Sequence, residues 1–125
     1  MRKSFRIMSL AVSVMAFTGI IGFSATAVAA EKKKMSPLEQ GKAIAFNKKK
    51  GNCLACHIIT GGDQPGNIAP PLIAMKARFP DRAVLHAQIS DPHAKNPDSM
   101  MPPFASHGIL SEKEIDLVVD FVQTL

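Results

Sequence analysis

Cys53-Leu54-Ala55-Cys56-His57 is the stretch that decides how this chain is read. Two thiols separated by two residues can add across the two vinyl groups of one haem, and the residue that follows then offers an imidazole to the iron. At average residue usage, C-x-x-C-H arises by chance in a chain of this length about once in a thousand, so it is read as chemistry. Two other uses of a C-x-x-C pair compete. A redox dithiol follows a strand and opens a helix in a βαβ unit, but a helical segment precedes the pair here. A zinc site needs two more ligands at suitable spacing, and His86, His93 and His107 do not form such a pair.

Upstream of the pentapeptide, Ser36-Pro37-Leu38-Glu39 carries two helix-start signals, a Ser-x-x-Glu capping box and Pro at the first helical position. The helix they open is expected to run to about Lys49. Leu38, Ile44, Ala45 and Phe46 form its apolar stripe, Lys48 to Lys50 complement its dipole, and Gly51 stops it. Downstream, Gly61 to Pro71 (G-G-D-Q-P-G-N-I-A-P-P) is dense in turn formers and reads as loop. Leu72 to Phe79 is apolar and helix-compatible, ending before Pro80. Asp81 can cap a helix through Ser90, and Asp91 to Gly108 holds four prolines and reads as loop. A last helix opens at Ser111-Glu112-Lys113-Glu114, another capping box. Its apolar residues Ile115, Val118, Val119 and Val122 recur at i, i+3, i+4 and i+7. No alternating strand pattern of useful length appears, so the expected class is all-α.

The amino-terminal thirty residues read differently. Arg2, Lys3 and Arg6 precede the mostly apolar run Ile7 to Phe23, and Ala27-Val28-Ala29 supplies the A-x-A pattern of a signal-peptidase cut. Residues 1–29 are therefore expected to be a cleaved signal peptide and residues 30–125 the mature domain. The run lies near the lower limit for a membrane span, but small residues end it and a polar run follows, so no permanent membrane anchor is expected. Without a cysteine in the leader, lipid attachment there is not expected either. Removing the leader takes three of the fifteen Lys and Arg and leaves twelve against ten Asp and Glu. A net charge of +2 gives little support to nucleic-acid binding. The remaining chain is one small domain that is marginal in buried area without a staple, and a covalently held macrocycle would be such a staple.

One ring nitrogen of His57 would bind the iron, so the other needs an acceptor to fix the ring. Ala69-Pro70-Pro71-Leu72 offers carbonyls without competing donors, and the Pro70 carbonyl is the expected partner, with Leu72 beside it against the haem. A neutral thioether as second axial ligand favours the ferrous state. Met101 in Asn96-Pro97-Asp98-Ser99-Met100-Met101-Pro102-Pro103-Phe104 is the expected ligand. Met100 is the adjacent alternative, and His93 or His107 would serve if ligation were bis-histidine. Met35 and Met75 are expected to be solvent-facing and packing, respectively.

With these residues in hand, the chain resembles the class I c-type cytochromes over residues 36–125 and, within them, the SoxX family of monohaem subunits. The resemblance rests on G-K-A-I-A-F-N-K-K-K-G-N-C-L-A-C-H (41–57), G-N-I-A-P-P-L (66–72), N-P-D-S-M-M-P-P-F (96–104) and I-L-S-E-K-E-I (109–115). It implies a class I cytochrome c fold of three to five helices around one haem c, held by Cys53 and Cys56 and ligated by His57 and Met101. It also implies a close crossing of the first and last helices, with Gly41 against the Phe121 region. As function it implies periplasmic electron transfer in a heterodimer with a SoxA-type cytochrome. Electrons released when thiosulfate is joined to the SoxYZ carrier would pass to a downstream soluble cytochrome c. The sulfur chemistry is expected of the SoxA-type partner, because this chain has no further cysteine. The alternatives are a free monohaem cytochrome feeding an oxidase or reaction centre and, from another class, a thiol–disulfide oxidoreductase.

Overall fold

The helices begin where local side-chain chemistry satisfies their first N–H groups. In the computed structural model, which describes residues 34–125, Ser36 Oγ accepts from the Glu39 N–H at 3.3 Å, and Glu39 Oε2 accepts from the Ser36 N–H at 2.7 Å. This reciprocal cap opens helix α1, Pro37–Phe46. Helix α2, Met75–Arg78, is a single turn. Helix α3, Arg82–Ser90, starts under Asp81, whose Oδ1 accepts from the Ala83 N–H at 2.8 Å. Ser111 and Glu114 repeat the reciprocal cap at helix α4, Glu112–Val122. Two 3₁₀ turns, Cys53–Ala55 and Pro92–Ala94, complete the elements, and no strand occurs among the described residues. The all-α expectation holds. The expected leader, residues 1–29, lies outside the described residues. Among the described residues, no helix is long and apolar enough to cross a membrane.

Three expectations need correction. Helix α1 ends at Phe46 rather than near Lys49. Asn47 turns extended at φ −73° and ψ 115°, and its Oδ1 accepts the Lys49 N–H at 2.8 Å. The Gly51 N–H returns to the Ile44 carbonyl at 3.2 Å, so the lysine run lies in a turn beyond the helix. Leu38 is exposed, because the face of α1 that packs begins at Gly41 and continues at Ala45. In the apolar stretch 72–79, only Met75–Arg78 is helical. Ala74 has φ +50°, and the Met75 N–H is taken by the carbonyl of Leu125 at 2.8 Å.

Helices α1 and α4 cross closely enough to forbid a side chain. A Cβ on Gly41 would lie 2.0 Å from the Leu117 carbonyl oxygen and 2.9 Å from Phe121 Cβ, so the absence of a side chain there sets the helix separation. Beside the crossing, Phe46 meets Phe121 edge-on, with ring centroids 5.9 Å apart. Lys50 pairs with Glu114 and ties the turn after α1 to the start of α4. From α3, Arg82 reaches Asp120 at 2.8 Å and Asp116 at 2.9 Å on α4. Ile115, Val118, Val119, Phe121 and Val122 supply the α4 side of the core, against Ala45, Ile59, Met75, Leu85 and Ile89. Loop 91–108 is ordered, and Phe104 enters the same core.

Candidate functional site

Asn52, in the left-handed region at φ +48°, feeds the chain into the 3₁₀ turn Cys53–Ala55. The His57 N–H closes back on the Cys53 carbonyl at 2.8 Å, which brings the first thiol and the imidazole to the same wall. Beyond the turn, the Pro-rich loop runs alongside the cysteine segment. Gly66 N–H donates to the Leu54 carbonyl at 2.7 Å, Ala69 N–H to Cys56 at 3.1 Å, and Leu72 N–H to Ile58 at 2.9 Å. Pro70 and Pro71 fall between these rungs and have no N–H to contribute.

The register of the rungs aims the Pro70 carbonyl at His57, 2.7 Å from Nδ1. A carbonyl only accepts, so Nδ1 carries the proton and the Nε2 lone pair is left for a metal. The loop can approach this closely because residue 66 is glycine. A Cβ there would stand 2.1 Å from the Ala55 carbonyl oxygen.

Two adjoining cavities, of about 410 and 370 Å³, share Cys53, His57, Ile68, Ala69, Met100, Met101 and Phe104. Each falls in the size range of small-molecule sites, roughly 300–1,000 Å³. The first cavity is lined mostly by apolar groups, Leu72, Phe79, Leu85, Val118 and Val122 among them, while Cys56 faces the second. Met101 is partly buried and packs on the core, and its N–H donates to Ser99 Oγ at 3.2 Å. Met100 is 83% exposed. Neither cavity is lined by His86, His93 or His107. The His93 ring is engaged by the Ser99 carbonyl, His86 sits on the α3–α4 seam 3.5 Å from Glu112, and His107 is exposed.

The donor set discriminates among the uses of a C-x-x-C pair. Burial pushes the Cys53 thiol up to about 11, with Cys56 adding to the shift, whereas a redox dithiol works through a thiolate of lowered pKa. Among the described residues, no group of three or more His, Cys, Asp or Glu is arranged to hold a metal ion, so zinc ligation has no set to use. An apolar cleft with two thiols and an imidazole on its wall and a thioether within it matches a covalently attached haem.

Two residues of the site escape a reading of the sequence alone. Arg78 lines the first cavity and donates to the Pro71 carbonyl at 2.9 Å, with Met75 Sδ at 3.5 Å. Its only sequence signal is a cation inside an apolar stretch. Gly66 looks like any loop glycine until the neighbouring carbonyl is seen.

The cytochrome c family model matches residues 38–125. The chain is 27% identical to a chain in the crystal structure of SoxXA from P. pantotrophus, with a TM-score of 0.64 over 74% of this chain and 83% of that one. It is also 36% identical over 78 residues to an uncharacterized lipoprotein of Aquifex aeolicus (strain VF5). That match takes in 59% of this chain but only 36% of the lipoprotein, so the chain spans about a third of that relative's length. The family match takes in both walls of the cleft, from the cysteine turn and the Pro-rich loop to the methionine segment and α4, and it accounts for the thiols, the imidazole and the apolar lining together. The chain belongs to the cytochrome c family and carries one covalently bound haem c.

Proposed function

We propose that this cytochrome is the SoxX-type electron-transfer subunit of a thiosulfate-oxidising complex. Residues 1–29 would be removed on export to the periplasm and residues 30–125 would form the haem domain. Cys53 and Cys56 hold the haem, His57 and Met101 ligate its iron, and Pro70 and Leu72 support it. The observation that carries the electron-transfer reading is the pairing of His57, its Nδ1 already committed to Pro70 at 2.7 Å, with the Met101 thioether in the same cleft. When bound, the haem supplies a one-electron iron couple whose potential is raised by a methionine ligand.

His57 and Met101 would take both iron positions. The His57 ring is fixed in one tautomer by Pro70, Val118 and Val122 of α4 line the cleft with apolar side chains, and the methionine segment is pinned through Ser99. Such a site would change charge with little rearrangement and leave no position on the iron for a substrate. Arg78 is a cation at the wall of an apolar cleft, a suitable partner for the carboxylates of a haem. The similarity to SoxXA supports a SoxA-type cytochrome as heterodimer partner. Electrons from thiosulfate coupling to the SoxYZ carrier would then leave through a downstream soluble cytochrome c.

The test is to mature the protein with its haem and mix it with a SoxA-type partner, the SoxYZ carrier and thiosulfate. Co-purification with the partner, and thiosulfate-dependent reduction only in its presence, are expected. A protein that is reduced and turns over equally well with an oxidase alone, and binds no such partner, would instead be a free monohaem carrier. A ferric protein with no methionine-to-iron charge-transfer band would remove Met101 from the assignment.

A further inference from the structure

The segment that carries Met101 is anchored before it reaches the cleft. Pro92 is fully buried and opens the 3₁₀ turn Pro92–Ala94. Asp91 Oδ1 accepts the His93 N–H at 3.0 Å, and the Pro92 carbonyl accepts the Asn96 N–H at 3.0 Å. With its backbone held on both sides, His93 extends its ring across the loop, and Nε2–H donates to the Ser99 carbonyl at 2.9 Å. Ser99 passes the constraint on. Its N–H donates to the Asn96 carbonyl at 3.0 Å, and its hydroxyl accepts the Met101 N–H at 3.2 Å.

The carbonyl that His93 holds lies in the peptide unit joining Ser99 to Met100. Because that unit is planar, its C=O and the Met100 N–H rotate together. A one-residue slip of the loop, which would exchange Met100 for Met101, has to turn this unit; both thioethers border the cleft, Met100 83% exposed and Met101 partly buried against the core. A hydrogen bond on the Ser99 carbonyl opposes the exchange.

We propose that His93 is a positioning residue whose bond to the Ser99 carbonyl sets the register that presents Met101, and not Met100, to the haem. The inference rests on Met101 being the distal ligand. The effect expected of one such neutral bond is about a fivefold change in the ratio of the two arrangements.

The experiment uses the haem-loaded protein. His93→Phe keeps an aromatic ring without the donor, and His93→Gln keeps an amide donor with similar reach. In His93→Phe the ferric methionine-to-iron band should weaken, a second ligand-methyl resonance should appear, and the Met101 amide should exchange several-fold faster. His93→Gln should restore a single resonance, and so should adding Met100→Leu to His93→Phe. Should His93→Phe yield no holoprotein, His93→Ser carries the same expectations. A single ligand-methyl resonance and wild-type exchange at Met101 in the donor-less variant would overturn the inference. Loss of the band in Met101→Ala alongside that result leaves the ligand assignment standing and removes only the role of His93. Survival of the band in Met101→Ala removes both.

Discussion

Replacing Gly41 by Ala sets two effects of opposite sign against each other. In an exposed helix interior, Gly→Ala is stabilising by about 1 kcal/mol. At the α1–α4 crossing, the new Cβ would lie 2.0 Å from the Leu117 carbonyl oxygen, 2.7 Å from its carbon and 2.9 Å from Phe121 Cβ. Close C–H···O contacts settle at a carbon–oxygen distance of about 3.3 Å, so the helices must part by roughly 1.3 Å. A gap of 0.5–1 Å already forfeits roughly a quarter to a half of each dispersion contact, and the loss falls on a crossing flanked by Ala45, Val118 and Phe121. Overpacking costs about 1–3 kcal/mol, and a clash with main chain belongs at the upper end. The net expectation is a destabilisation of about 2 kcal/mol, or a melting temperature lower by roughly 10 °C for a domain of this size. The chain has no tryptophan, so unfolding of the holoprotein is best followed by far-ultraviolet circular dichroism. Ala43→Gly, on the exposed side of the same helix, is the control and should lose about 1 kcal/mol from propensity alone. If Gly41→Ala melted at or above the wild-type temperature, the close crossing would not be what sets the helix separation.

Gly66→Ala should displace the Pro-rich loop from the cysteine turn. A lower yield of haem-loaded protein and a stability loss of about 1–3 kcal/mol are expected in denaturant titrations. Ser111→Ala removes the acceptor that opens α4 and should cost about 1 kcal/mol by thermal melting. The Lys50 ammonium and the Ser111 backbone push the Glu114 carboxyl down to about 2 from 4.5. Its contribution is therefore full above pH 4.5 and is lost as the pH falls toward 2. Glu114→Gln should show a shallower acid-induced loss across that window, with a difference of about 0.5–1 kcal/mol for a pair at the surface. Arg82→Met breaks two exposed pairs with Asp116 and Asp120 and should change stability by less than about 1 kcal/mol, a change that high salt erases.

Features carried by a few neighbouring residues were legible in the chain. Both capping boxes and the apolar period of α4 mark helices because their determinants lie within one or two turns. The cysteine–histidine pentapeptide marks its chemistry for the same reason. The end of α1 was harder to read, because the Asn47 side chain captures the Lys49 N–H before the lysines and Gly51 can act as a helix terminus. The apolar run before Pro80 looks helical, but its Met75 N–H bonds to the last residue of the chain, a partner that no local window contains. Gly66, Arg78 and His93 were hard to read for another reason. Their partners, the carbonyls of Ala55, Pro71 and Ser99, lie across irregular loop backbone, where no helical or strand spacing says which residues will meet.

The rungs that tie residues 54–58 to residues 66–72 connect segments separated by one short loop, whereas the α1–α4 crossing connects the two ends of the domain. Chain closure costs more entropy as the span grows, and a polypeptide is made from its amino terminus. The cradle around His57 can therefore take shape while the last helix is still being synthesised. The imidazole would be oriented first, and the thioether and the lid of α4 would come down on it afterwards. On this account, a truncated nascent chain ending before residue 91 already contains the imidazole and the carbonyl that steers it.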